Sequence, residues 1–363
     1  MFTKLFAAAA KKKFIAVLES NIPGKGSFKT VKCGMSIPAR YEICFELFSA
    51  DSEGKMAITV TAKKAECISM ENILTGTNSE ILDWLKKDGA KKLAEKAGLR
   101  QEDFNLVFSG DLLNQCIGSS FSLRNTGIPH LGLYGACSTM AESLLMASMA
   151  VGGGFTENAV AMTSSHFASS ERQYRFPLGY GGQRTPTSQW TVTGSGAALI
   201  SQNGKGPKIT ACTIGTVTDL GIKDANNMGA AMAPAAYATI KAHFEDLKTG
   251  PEHFDLIVTG DLGQLGKEML LELSRHDGIS LGGKLSDCGN LVFDNTTQDV
   301  HAGGSGCGCS AITLCGYLLP QLQSGKLKKI LFCGTGALLS PTSTQQGLPI
   351  PGVCHAVVIT GGN

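Results

Sequence analysis

The sequence is poor in charged residues, and the two signs nearly cancel. Asp, Glu, Lys and Arg make up 17% of the 363 residues, and the formal net charge is +2 at pH 7. A nucleic-acid-binding surface needs an excess of basic side chains to neutralise phosphates. The composition therefore excludes nucleic acid as the expected partner.

Long apolar runs are also missing. No stretch approaches the roughly 18 consecutive apolar residues that cross a bilayer. The alanine-rich start is interrupted by Lys11, Lys12 and Lys13, and no small-residue cleavage site follows it, so it does not resemble a secretory signal peptide. We expect a protein that meets membranes only peripherally, with its 12 cysteines reduced.

Sequence patterns for cofactors are absent as well. No P-loop or dinucleotide-binding glycine pattern stands between a predicted strand and a predicted helix. Cys307, Cys309 and Cys315 lie in an apolar helix entry without a second cysteine pair, whereas structural zinc sites need four ligands. We therefore expect no metal site and no cofactor.

What the sequence does contain is an internal repeat. Phe104–Asp111 (FNLVFSGD) is echoed by Phe254–Asp261 (FDLIVTGD), and Gly135–Thr139 (GACST) by Cys307–Ala311 (CGCSA). The first pair is typical of a buried strand that ends in a turn, and the second opens an apolar helix. The repeated order predicts parallel strands with right-handed crossovers, hence an α/β fold with two similar halves. The competing interpretation is that any two strand–helix–strand units share these features.

The predicted organisation has three parts. Residues 80–220 and 221–363 form the two halves. Residues 1–79 differ, because Tyr41–Leu47 and Met56–Val60 alternate apolar with polar or small residues on either side of a turn. That alternation predicts an antiparallel hairpin.

Cys137 is the first candidate functional residue. It follows a predicted strand and stands where a helix begins, so backbone amides and the helix dipole favour the thiolate. The small neighbours Gly135 and Ala136 leave room for a ligand. The pattern fits a nucleophile, a ligand contact, or a buried cysteine that acts as a small apolar filler.

Two histidines are candidates for the same site. His166 follows a predicted strand through Ser164 and Ser165, at the sheet edge where α/β proteins collect ligands. His301 precedes the glycine-rich run that leads to Cys307. Each taken alone is equally compatible with a structural histidine.

The segment Ser165–Thr187 lacks a helical or strand period. It concentrates arginines beside aromatic residues: Arg172, Tyr174, Arg175, Phe176, Tyr180 and Arg184. Guanidinium groups pair with carboxylates in a fork and stack on rings. The segment therefore suits a flat, anionic, aromatic ligand, although a solvated loop or a loop at a subunit interface fits the composition as well.

Long ordered strings in the chain resemble the stage V sporulation protein AD family. The resemblance runs from about residue 83 to the C-terminus. It is carried by Gly110–Gln115, Leu133–Thr139, Thr163–His166, Glu171–Pro177, Thr191–Ala197, Asp224–Gly229, Met232–Ala236, His301–Ser310 and Gly336–Pro341.

The resemblance implies a thiolase-like fold, since this family belongs to the thiolase and ketoacyl-synthase superfamily. Such proteins stack two βαβαβ halves as five αβαβα layers. Enzymes of the superfamily use a cysteine that Cys137 matches. Where they carry an activating histidine this chain has Gly260-Asp261, and where they carry an asparagine it has Gly303-Gly-Ser305. A cysteine without a base and an oxyanion donor is a poor acyl-transfer catalyst.

The resemblance also implies a role in sporulation. Family members are taken to bind dipicolinic acid, alone or as its calcium chelate, and to act with integral membrane proteins in its uptake into the forespore. The expected location is the forespore or spore inner membrane, held peripherally. A homodimer is expected because the superfamily commonly dimerises through the first half.

These implications give a non-catalytic dipicolinate-binding protein as the expected function. The expected ligand contacts are Cys137, His166, Arg172, Arg175, His301 and Ser305, with calcium only as part of the ligand. Two alternatives stay open. One is an acyltransferase that uses Cys137 as nucleophile with a base rebuilt from His166 or His301, and the other is a scaffold with a vestigial pocket.

Overall fold

The computed structural model describes residues 2–5, 90, 91, 93–167, 174, 185–203 and 206–362. The hairpin predicted over residues 41–60 lies outside these residues. The side chains of Arg172, Arg175 and Arg184 lie outside them too.

The secondary structure alternates strands and helices along the chain. The strands are β1 (Phe2–Leu5), β2 (Val107–Gly110), β3 (His130–Leu133), β4 (Asn158–Ser165), β5 (Trp190–Thr191), β6 (Gly194–Ser201), β7 (Lys208–Thr213), β8 (Leu256–Thr259), β9 (Leu285–Asp287), β10 (Gly304–Ser305), β11 (Lys329–Ala337) and β12 (Gly352–Thr360). The helices are α1 (residues 90–97, with residue 92 not described), α2 (Ile117–Leu123), α3 (Thr139–Gly152), α4 (Met228–Leu247), α5 (Gly263–His276), α6 (Cys288–Val292), α7 (Cys307–Thr313), α8 (Leu319–Gln323) and α9 (Pro341–Gln345). Single 3₁₀ turns cover Gln101–Asp103, Asn114–Cys116, Ala136–Ser138, Pro251–His253 and Gly282–Lys284, and a π-helical turn at Leu314–Leu318 joins α7 to α8.

Two five-stranded sheets of matching design form the framework. The first has the order β1-β6-β4-β2-β3 and the second has the order β7-β12-β11-β8-β9. In each sheet the three strands at one end are parallel, and the fourth strand pairs antiparallel with the third. The pair β2 and β8, which carries the sequence repeat, occupies the same place in both sheets. The predicted two-half α/β architecture is confirmed.

The two sheets and the helices that cover them form five layers. Helices α3, α7 and α8 pack between the two sheets in one apolar cluster, α4 and α5 cover the outer face of the second sheet, and α1 covers the outer face of the first. Along β11, Ile330 and Phe332 face the central cluster while Leu331 and Cys333 face the outer one. This period-two division buries both faces of the strand, as expected for a sheet covered on both sides. The five-layer αβαβα prediction is confirmed.

Helix α7 begins at Cys307, and the helical run continues through the π-helical turn. Strand β11 extends to Ala337, because its antiparallel pairing with β12 runs over all nine residues. At the N-terminus, β1 pairs antiparallel with β6 and supplies the fifth strand of the first sheet.

Within the described ranges, no helix is both long enough and apolar enough to span a lipid bilayer.

Candidate ligand-binding site

A pocket of about 240 Å³ opens where the two halves meet. Its first-half wall includes Leu112, Tyr134 and Cys137, and its second-half wall includes Ser305 and Leu339. The pocket lies beyond the carboxyl ends of the parallel strands, which is where ligand sites form in α/β folds. Most of its lining side chains are apolar, so the few polar atoms on its wall decide what it accepts.

Cys137 is held in a sharp turn between β3 and α3. The preceding Ala136 has φ 52°, a left-handed conformation that is strained for any residue with a Cβ. Gly135 lets two side chains approach the turn closely, because a Cβ there would lie 2.4 Å from the Glu142 carboxylate oxygen and 2.8 Å from Ser138 Oγ. The turn presents the Cys137 thiol to the pocket, where only 7% of the residue is exposed.

Ser305 faces Cys137 from the second half. Strand β10 pairs parallel with β5, which sets Ser305 opposite Thr191, another pocket-lining residue. The Ser305 Oγ lies 4.0 Å from the Cys137 Sγ, at the outer limit of a sulfur hydrogen bond. The structure therefore brings together two residues of the predicted ligand set.

Asp261 lies behind both side chains and is completely buried. Its Oδ2 accepts hydrogen bonds from Ser305 Oγ at 3.0 Å and from the Gly306 amide at 2.9 Å. Its Oδ1 accepts a hydrogen bond from Thr335 Oγ1 at 2.9 Å. Burial raises the pKa of the carboxyl group, while the hydrogen bonds from the Gly306 amide and the neighbouring side chains act in the opposite direction.

Gly306 makes this arrangement possible. It has φ 103°, which side chains rarely adopt, and a Cβ there would lie 2.8 Å from Ser165 Oγ. The turn directs the Gly306 amide at Asp261, and α7 begins at the next residue. A buried carboxylate thus fastens the turn that carries Ser305.

The Cys137 thiol is strongly biased toward its neutral form. Burial raises its pKa well above the ordinary value, and the negative charge of Asp261 and the neighbouring Cys307 raise it further. The sequence favours a thiolate from the helix dipole, but that local effect is outweighed by burial and by Asp261. The structure therefore shows a thiol that is a poor nucleophile at neutral pH.

The two predicted histidines do not line the pocket. His166 is completely buried just beyond the end of β4. His301 has its Nδ1 2.6 Å from the Thr185 carbonyl oxygen and its Nε2 3.0 Å from the Asp299 carboxylate. Neither histidine belongs to the pocket wall that carries the Cys137 thiol.

Two tyrosines mark the open end of the pocket. Tyr134 is 48% exposed, and its hydroxyl lies 3.1 Å from that of Tyr174. The Tyr174 hydroxyl donates to the Leu112 carbonyl oxygen at 3.1 Å. Tyr174 belongs to the arginine-rich segment and directly precedes Arg175, so the described part of that segment touches the pocket. Arg172 and Arg175 themselves lie outside the described residues, and their predicted role stays a prediction.

Sequence reasoning missed Asp261 as a site residue. In the sequence, the Gly260-Asp261 pair marks the end of a predicted strand and the place of an absent histidine, although a carboxylate directly after a buried strand is itself a signal of a site. Its first-half counterpart Asp111 is buried as well, and accepts hydrogen bonds from Ser119 and from the Leu113 amide. The repeated Gly-Asp could therefore have been identified as a buried fastening of the following loop.

Among the residues that the structure describes, no three His, Cys, Asp or Glu side chains converge as a metal-binding group. The cysteines in these ranges are free thiols.

Comparison with solved structures defines the class of protein. The tetronic acid condensing enzyme AbyA1 is 15% identical with a TM-score of 0.52, and the similarity covers 77% of this chain and 86% of that one. OleA of Xanthomonas campestris with bound lauric acid and lauroyl-CoA is 14% identical with a TM-score of 0.51, covering 77% and 82%. At these identities the similarity concerns the fold alone, which is the thiolase-like fold of condensing enzymes.

Sequence comparison is more specific. The family described as Stage V sporulation protein AD (SpoVAD) matches residues 52–360. The Stage V sporulation protein AD of Bacillus subtilis (strain 168) is 46% identical over 274 residues, which is 76% of this chain and 81% of the relative. The chain belongs to the stage V sporulation protein AD family. The family match begins at residue 52, inside the segment that the quoted motifs do not cover.

Proposed function

We propose that this sporulation protein binds dipicolinic acid, alone or as its calcium chelate, in the pocket between the two halves and does not turn it over. The protein would hold the ligand for uptake into the developing spore. The observation that carries the proposal is the pocket itself, whose cysteine is held as a neutral thiol beside the buried Asp261.

The size of the pocket supports a ligand with a single ring. Apolar cavities of about 150 Å³ accommodate benzene. The pocket of about 240 Å³ therefore has room for one substituted aromatic ring. Leu112, Leu339 and Met228 supply the apolar walls against which such a ring would pack.

The electrostatics around Cys137 argue against acyl transfer. A cysteine nucleophile needs an adjacent base or cation that stabilises its thiolate. Here Cys137 is connected through Ser305 to the Asp261 carboxylate, whose negative charge opposes ionisation of the thiol. A binding protein has no need of the thiolate, so this environment suits binding better than catalysis.

In the proposal, Arg172 and Arg175 supply the positive charge that pairs with the two carboxylates of dipicolinate. Arg175 directly follows Tyr174, a pocket-lining residue, in the sequence. An arginine side chain can pair with a carboxylate through two parallel hydrogen bonds. His166 and His301 lie off the pocket wall and are not retained as ligand contacts in the proposal.

The partners are part of the same proposal. We retain integral membrane proteins of the same transport system as partners and the forespore or spore inner membrane as the location. For the homodimer, the supporting observation is that β3 ends its sheet and that Leu131 on it is 51% exposed. An open strand edge is a ready surface for pairing with a second copy. Light scattering should detect a dimer that Leu131→Lys weakens.

Calorimetric titration with dipicolinate, with and without calcium, tests the function. Arg175→Ala should weaken binding at least tenfold, since charge-assisted hydrogen bonds contribute about 1.5–3 kcal/mol. Arg124→Ala is the matched control, because Arg124 lies over the Phe121 ring and does not line the pocket. Equal affinities for the two variants would contradict the placement of Arg175. A covalent acyl adduct on Cys137 would favour the acyltransferase instead.

A further inference from the structure

The polar atoms of the pocket are unevenly distributed between its floor and its mouth. At the floor, the single proton of Ser305 Oγ is donated to Asp261 Oδ2, so this hydroxyl presents only lone pairs to the pocket. The Cys137 thiol beside it is neutral. Among the described residues that line the pocket, none is Lys, Arg or His. The described part of the floor therefore offers no cationic side chain to an anion.

The carboxyl group of Asp261 is fixed in place behind the floor. The three partners of the Asp261 carboxylate (Ser305, Gly306 and Thr335) all donate to it. The Gly306 amide has no other role open to it, because a backbone N–H only donates. The Asp261 Oδ2 atom lies 3.0 Å behind the Ser305 Oγ atom that a ligand would touch, and the two are joined by a hydrogen bond.

The mouth has the opposite character. Tyr134 is half exposed there, and its hydroxyl and that of Tyr174 are 3.1 Å apart. Charged groups placed at this end keep part of their hydration, so they avoid the desolvation that the floor would impose.

We propose that an aromatic dicarboxylate enters with its uncharged ring edge against Cys137 and Ser305 and with both carboxylates at the tyrosine mouth. Asp261 sets this polarity and rejects ligands that carry an anionic group on the inward edge. The inference rests on the proposed function. Dipicolinate fits it, because its carboxylates flank the ring nitrogen and leave the edge at ring position 4 uncharged.

The same orientation accounts for calcium as part of the ligand. Dipicolinate chelates a cation with its two carboxylates and its ring nitrogen. That chelating edge faces the mouth, where water completes the coordination of the ion. Free and calcium-bound ligand then present the same uncharged edge to the floor, and the protein needs no metal ligands of its own.

The test compares three probes at pH 8: pyridine-2,6-dicarboxylate, its 4-carboxylate derivative and its 4-carboxamide derivative. The two derivatives have nearly the same size and differ in charge at the inward edge. Like charges about 6 Å apart in a partly buried site weaken binding on the order of a hundredfold. We expect the 4-carboxamide derivative to bind at least 30-fold more tightly than the 4-carboxylate derivative.

Two variants connect this preference to Asp261. Asp261→Asn should reduce the ratio between the derivatives at least tenfold. Asp255→Asn is the matched control, since Asp255 lies at the opposite end of β8 and removing its charge should leave the ratio unchanged. Circular dichroism and thermal melting verify that each variant is folded. If Asp261→Asn does not fold, the ratio measured on the wild-type protein still decides the orientation.

Each outcome has a distinct meaning. Equal affinities of the wild-type protein for the two derivatives would overturn the orientation, because position 4 would then lie in solvent. No binding of dipicolinate to the folded wild-type protein would overturn the proposed function and the orientation together.

Discussion

The reactivity of Cys137 should be controlled by the charge of Asp261. Asp261→Asn removes the negative charge but keeps the size of the side chain. The sulfur lies 4.0 Å from Ser305 Oγ, which lies 3.0 Å from the carboxylate, so the two groups are at most about 7 Å apart. At an effective dielectric constant of about 20, that separation gives a repulsion of at least about 2.4 kcal/mol between a thiolate and the carboxylate.

This repulsion should change the alkylation rate of Cys137 by a measurable factor. Removing about 2.4 kcal/mol raises the thiolate population roughly 50-fold at a pH below the pKa of the thiol. A thiolate of lower pKa is also a weaker nucleophile, which reduces the gain in alkylation rate to roughly tenfold. The sign follows from the charge: Asp261 raises the pKa of the thiol, so its loss lowers that pKa.

Alkylation by iodoacetamide at pH 7.5, followed by mass spectrometry of peptides, measures the effect. Cys212 is exposed and far along the chain from the pocket, so its labelling rate serves as an internal reference in the same sample. Asp255→Asn is the control for the change of charge. Fast labelling of Cys137 in the wild type, or the same rate in Asp261→Asn, would refute the electrostatic argument.

Three further predictions concern stability. Thr335→Val should lower the free energy of unfolding by about 1–3 kcal/mol, because it removes a hydrogen bond to a buried carboxylate, whereas the exposed Thr342→Val should have little effect in the same urea titration. Burial raises the pKa of Asp287 to about 6 from 3.8, so its contribution to stability is present at low pH and is lost as pH rises through 6. Between pH 7 and pH 5 the wild type should gain about 1.3 kcal/mol more than Asp287→Asn, and parallel pH profiles would contradict this. Gly308→Ala should destabilise by about 1–3 kcal/mol, since its Cβ would lie 2.4 Å from a serine oxygen, while Gly282→Ala has open space and should be nearly neutral on melting.

Much of the fold could be predicted because it depends on local patterns. The run of glycines at 152–154 predicts the end of α3, which the structure places at Gly152. The apolar runs before Asp111 and Asp261 predict β2 and β8, and their likeness predicts the pairing of the halves. The length of β11 could not be predicted, because it is set by the pairing register with β12. No local pattern in β11 indicates that register.

The candidate site was less predictable, since it forms only when the halves pack. Cys137 and Ser305 are 168 residues apart, and nothing local indicates that their side chains meet. The neutral state of the thiol depends on burial and on Asp261, which are tertiary properties. Tyr134 carries no pattern that distinguishes it from any tyrosine after a strand.

The central claim is that the pocket binds a small aromatic dicarboxylate without chemistry at Cys137. One measurement tests it most directly: calorimetric titration of the wild-type protein with dipicolinate, followed by intact-mass analysis of the same sample. The account predicts saturable binding of one ligand per chain and an unchanged protein mass. No heat of binding in a folded protein, or a mass increase that maps to Cys137, would contradict it.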